Sequence, residues 1–162
     1  MNLFDIFQNT VYGGLAAAGF GVLFNVGFRT LPWCAASGAL ALAVRTSALG
    51  FECSFVRSSF LAALALGFAV QLLPLSAGVS RNGLHVVGCI PLIPGAFAAR
   101  SILGLFAVTV QQPSVTTNET LLAALNDGLR VIFTIGALGA GIAIPLLLLH
   151  LWGSKYARGF SS

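Results

Sequence analysis

Charge is what this sequence has least of. Only 7% of its 162 residues are charged and just four are acidic, where a soluble domain carries about 25% charged residues. A surface that water can wet cannot be built from so few, so a soluble globular fold is excluded. Disorder is excluded too, because it needs many charges and few apolar residues. The eight Lys and Arg are scattered singly. No basic run can follow a phosphate backbone, which removes nucleic acid as a partner. Cysteine is scarce: Cys34, Cys53 and Cys89 are odd in number and lack the spacing of metal ligands. His85 and His150 each stand alone, so no metal site is expected. HExxH, GxSxG, a phosphate loop and an intramembrane His/Asp pair are all missing, so neither catalysis nor a cofactor is expected. The opening MNLFDIFQNT has no Lys or Arg. A cleavable signal needs a positive first region, and the first helix is therefore expected to stay.

What is abundant is apolar: 57% of residues are hydrophobic and the mean hydropathy is +0.95. Lipid is the solvent that such a chain requires. The expected fold is an all-α integral membrane protein, a single membrane domain over residues 1–162 with about five transmembrane helices. Apolar stretches place these at 7–28, 31–49, 55–75, 84–110 and 121–152. Transmembrane strands would alternate apolar and polar residues, and these runs are apolar on every side. The second stretch is the shortest, with an uncharged core of 14 residues from Leu31 to Val44. Arg45 then either snorkels or lies in a re-entrant or buried element. In the latter case the count is four spans plus a re-entrant segment.

Small residues four apart, at Gly14/Ala18, Ala17/Gly21, Ala63/Gly67 and Gly136/Ala140, are expected to let helices approach closely. With five spans, Arg29, Arg81, Lys155 and Arg158 share one side and Arg45 and Arg57 the other. The excess of positive charge places the C-terminus in the cytoplasm.

The fourth stretch, GLHVVGCIPLIPGAFAARSILGLFAV, carries Pro91, Pro94 and Gly95 at its centre. Each proline removes a backbone donor and clashes with the carbonyl four residues earlier, at Val87 and Ile90. A helix broken at IPLIPG is expected. Backbone broken at membrane depth must be buried in protein or line a wet cavity, and transporters place substrate at such breaks. Arg100 lies five or six residues beyond and has no acid near it in sequence. Either the break and Arg100 hold a substrate carboxylate, or the helix is merely kinked and Arg100 snorkels or pairs with Asp127.

Asp127 and Arg130 are three apart and can neutralise each other on a helix; alternatively Asp127 carries a proton or meets a substrate ammonium group. In FNVGFRTLPWC, Asn25 and Arg29 are four apart, followed by Pro32 and Trp33. These are also ordinary residues for a helix end at a membrane interface.

FGVLFNVGFRTLPWCAASGAL, VVGCIPLIPG and GALGAGIAIP resemble the threonine/serine exporter family, in particular its short YjjB-type branch, which corresponds to the C-terminal membrane half of the full-length exporter. The resemblance runs from about residue 10 to 152 and is most specific at the IPLIPG tract and the Asn25/Arg29 pair. It implies a multi-pass subunit in the bacterial inner membrane, working beside a longer YjjP-type subunit. Threonine, serine and, for the split type, succinate are the substrates it implies, all bearing carboxylates. Asn25, Arg29, Pro91, Pro94 and Gly95 carry over as site residues by resemblance. Arg100 and Asp127 join them on the physical argument alone. Ala98 and Ala99 stand where relatives often have an aromatic residue soon after the PG.

Five helices can hardly enclose a path with two gates, so a heteromeric partner is expected, with homo-oligomerisation alongside. The alternative to an exporter subunit is a membrane scaffold that stabilises another subunit without transporting anything.

Overall fold

The computed structural model describes residues 3–72, 80–110 and 115–158, with side chains over 4–72, 80–110 and 118–149. The end of the third apolar stretch and the side chains of His150, Lys155 and Arg158 lie outside the described residues. Among those described, helix is the only regular structure and no strand occurs. Six α-helices follow one another: α1 (Leu3–Leu23), α2 (Leu31–Gly50), α3 (Phe55–Leu72), α4 (Arg81–Cys89), α5 (Gly95–Val110) and α6 (Val115–Arg158). A 3-10 turn, Ile90–Leu92, follows α4. Two compact units arise, one of residues 1–92 with 137–162, the other of 93–136.

Burial is inverted relative to a soluble protein. Outward-facing side chains are large and apolar, including Phe4, Phe28, Phe51, Leu103, Phe106 and Phe133. The interior of the larger unit is built mainly from small residues: Ala17, Cys34, Ala41, Ala62 and Ala63 around Leu66, Leu84 and Leu92. In lipid no hydrophobic force separates inside from outside, so close backbone packing must hold the helices together. On α1, Gly13, Gly14, Ala17 and Gly21 form one buried face. A Cβ added at Gly13 would sit 2.7 Å from the Gly38 carbonyl, and one at Gly14 would sit 3.1 Å from that of Ala35. Ala63 and Gly67 of α3 meet Gly141 and Pro145 of α6 in the same manner. The expected pair Gly136/Ala140 does not behave this way: both residues are exposed, and a Cβ at Gly136 would meet nothing within 4 Å. Four-residue spacing creates a small face, but only a neighbour of matching shape turns it into a contact. In the smaller unit, a Cβ at Gly104 would come 2.8 Å from Ala124 Cβ, and one at Gly128 the same distance from Ser101 Oγ.

The first stretch is shorter as a helix than its hydropathy implies. α1 stops at Leu23, not Phe28, because Asn25 takes a left-handed conformation (φ 53°). Asn25 N–H then donates to Val22 O and Val26 N–H to Gly21 O, both at 2.9 Å. This Schellman closure satisfies carbonyls that lipid could not. α2 starts with Pro32 in its first turn and ends in the same closure, with Glu52 left-handed (φ 58°) and Cys53 N–H donating to Ala48 O. Asn tolerates this backbone conformation; Glu does not, at about 1 kcal/mol or more. Glu52 is exposed. Glu52→Gly is expected to stabilise the fold by about 1 kcal/mol, read as a higher melting temperature in detergent.

Two helices, Phe55–Leu72 and Asn118–Leu149, are long and apolar enough to cross a bilayer, and a third crossing results if the interrupted pair Arg81–Leu92 and Gly95–Val110 counts as one. α1 and α2 have suitable lengths of 21 and 20 residues. Asp5, Gln8 and Asn9 in one, and Arg45, Thr46 and Ser47 in the other, dilute their hydropathy.

Candidate functional site: the interrupted helix and its cations

The fourth apolar stretch is interrupted where its prolines require. α4 ends at Cys89, the 3-10 turn carries Pro91, and α5 begins at Gly95. Pro94 is buried, and its carbonyl accepts from the N–H groups of Phe97 and Ala98 at 3.1 Å. Gly95 N–H turns back to Ile93 O at 2.9 Å. The Leu92 carbonyl finds its donor far away in sequence: Arg45 Nη1 reaches it at 2.9 Å across 47 residues.

Arg45 does not snorkel. It is 9% exposed, and its guanidinium carbon lies 4.1 Å from the centroid of the Phe55 ring. The Arg45 side chain is thus buried between the first turn of α3 and the 3-10 turn, whether or not α2 itself crosses. A second cation plays a related part: Arg81, in the first turn of α4, donates through Nη1 to Val70 O at 2.9 Å and to Gln71 O, both in the last turn of α3. A cation on terminal carbonyls completes the backbone and opposes the negative end of the helix dipole.

The expected site residues fall in several places. Asn25 is exposed and, with Thr30, Ser80 and Gly83, lines a cavity of about 240 Å³ beside the start of α4. Its backbone conformation is by itself a sufficient reason for Asn at this position. Arg29 is exposed in the turn between α1 and α2. Pro91 belongs to the larger unit, while Pro94, Gly95, Arg100 and Asp127 belong to the smaller one. Arg100 is exposed, its guanidinium carbon 5.3 Å from the Phe97 ring centroid. Arg130 approaches the same ring at 4.7 Å. Two guanidinium groups from α5 and α6 therefore share one aromatic side chain. Asp127 is half-buried, and among the described residues it forms no ion pair with Arg130 or Arg100. Three-residue spacing brings Asp127 near Arg130, whose guanidinium lies over the Phe97 ring of α5.

The carbonyl-capping roles of Arg45 and Arg81 are not legible along the chain. A charge near the end of an apolar run is the available signal, and it does not identify a partner 47 residues distant. His85, expected near a segment end, is 4% exposed, with both ring nitrogens sealed and without a hydrogen-bond partner. Such a group costs on the order of 1–3 kcal/mol. Among the described residues, no group of three or more His, Cys, Asp or Glu could hold a metal.

Helices with apolar exteriors, small-residue interfaces and an interrupted segment capped by a buried cation define a multi-pass membrane protein, of a kind suited to transport. Residues 9–148 match the family described as Threonine/Serine exporter, ThrE, and the chain belongs to that family. No solved structure matches the chain.

Proposed function

We propose that this chain is one subunit of a secondary exporter that moves small carboxylate-bearing metabolites, threonine and serine or succinate, out across the bacterial inner membrane. Family membership supports the export of hydroxy amino acids. The observation that carries the mechanism is the helix interruption at Ile90–Pro94, where backbone groups leave their helical pairing inside an apolar segment. On this reading residues 1–162 form one membrane domain with about five crossings. α1 and α2 cross as well, shielded by their neighbours, and the C-terminus lies in the cytoplasm. Pro91, Pro94 and Gly95 shape the substrate site. Arg100 attracts the carboxylate, Asp127 meets an ammonium group or carries a proton, and Asn25 and Arg29 line the approach. A longer YjjP-type subunit completes the path, with homo-oligomers of the chain as a further level of assembly.

The test is efflux of preloaded threonine, serine and succinate from cells lacking their own exporters. The cells would express this chain alone and then together with the longer subunit. Faster efflux with both, and not with this chain alone, is the expected result; the solute that leaves fastest identifies the substrate. If both proteins reach the membrane and all three solutes leave at the background rate, the exporter reading is wrong. A scaffold that only stabilises its partner would then take its place.

A further inference from the structure

We infer that Arg45 is the anchor for the substrate carboxylate, through a guanidinium held on Leu92 at the end of the 3-10 turn. The inference rests on the exporter reading above and names the residue that would do the binding.

Four observations converge on it. Arg45 is 91% buried, by difference from its 9% exposure, yet a guanidinium keeps its charge in any protein setting. No acid neutralises it: Arg45 and Glu52, the nearest acid in sequence, form no ion pair with each other or with any other described residue. Of its five N–H donors, one is used on Leu92 O, while one face of the group lies on Phe55. The nitrogens that carry the remaining donors are not among the sealed, partnerless polar atoms of the described residues, which are those of His85.

Capping one carbonyl does not call for a permanent charge. A neutral donor within reach would serve, without the cost of placing a charge within a membrane segment. What a neutral donor would lack is the planar fork that receives both oxygens of a carboxylate. The bond to Leu92 O holds that fork at the interruption, and the Phe55 ring limits its rotation. A carboxylate arriving there supplies the missing negative charge and accepts the open donors. Threonine, serine and succinate share that group, so the residue explains the common feature of the substrates rather than the difference among them.

The experiment uses this chain co-purified with its longer partner, and threonine and threonine amide as probes. The amide retains the ammonium and hydroxyl groups and loses the carboxylate charge. The native complex is expected to be stabilised against heating by threonine and not by the amide. In Arg45→Gln, which removes both the charge and the fork, threonine should no longer stabilise, and the KM for its efflux should rise about 10- to 100-fold. Arg45→Lys, with charge but no fork, should fall between the two. Should Arg45→Gln lower the melting temperature of the ligand-free complex yet respond to threonine as the native complex does, Arg45 is a backbone cap only and the inference is overturned. It is overturned equally if Arg100→Gln abolishes the threonine response while Arg45→Gln preserves it. A native complex that neither exports nor is stabilised by threonine, serine or succinate would instead sink the exporter reading, and the Arg45 anchor with it.

Discussion

Gly38→Ala is expected to destabilise the chain by about 1–3 kcal/mol, and Gly38→Val to keep α1 from docking on α2 at all. The reason is distance. A Cβ at Gly38 would lie 2.3 Å from Ala17 Cβ and 2.4 Å from the Gly13 carbonyl oxygen. Neither neighbour is the mobile end of a long side chain, so relief can come only from moving one backbone away from the other. That movement would open the tightest part of the larger unit and loosen Gly14 and Gly21 from α2 as well. Gly19 is the matched control. It is exposed on α1 with nothing within 4 Å of an added Cβ, so Gly19→Ala should be neutral or stabilise through helix propensity by up to about 1 kcal/mol. The measurement is the melting temperature and the yield of monodisperse protein in detergent. If both variants melt alike, the close approach of α1 and α2 is not what holds this unit together.

The second large effect concerns the interruption. Replacing both Pro91 and Pro94 by Ala returns two backbone donors and removes the ring clashes with the carbonyls of Val87 and Ile90. α4 can then run on into α5 as an ordinary helix. In that helix Leu92 O would accept from Ala96 N–H, and Arg45 would lose its anchor point. Efflux from cells expressing the double variant with the longer subunit is expected to fall at least about tenfold, the weight of one charged hydrogen bond or more. The variant should reach the membrane in normal amount, since its segment is now a better helix. Normal efflux from a well-inserted double variant would show that the prolines only bend the chain. The scaffold reading would then gain ground over transport.

Some of this architecture is decided by chemistry within a few residues. A shortage of charge leaves lipid as the only solvent, and the runs without alternation can only be helices. The interruption at IPLIPG is of the same kind: a proline lacks its N–H wherever it is placed, and the clash falls on a carbonyl one turn away. The end of α1 is equally local yet departs from the apolar run, because hydropathy continues through Phe24 to Phe28 while the left-handed Asn25 turns the backbone. Apolar character tells where a chain can be buried, not where it must stop being helical.

Other features come only from elements meeting in space. Whether a pair of small residues is a contact depends on the surface opposite, which is why Ala63/Gly67 packs and Gly136/Ala140 does not. Helical spacing sets Asp127 and Arg130 for an ion pair, yet Arg130 lies over Phe97, more than 30 residues earlier. Along the chain, Arg45 is a charge near the end of one apolar run and Arg81 a charge in the loop before another. In the fold they are the donors that complete Leu92 and the last turn of α3. An orphaned carbonyl has no sequence signature of its own partner: lipid forbids leaving it bare, but only the packing of α2 against the interruption determines which side chain arrives.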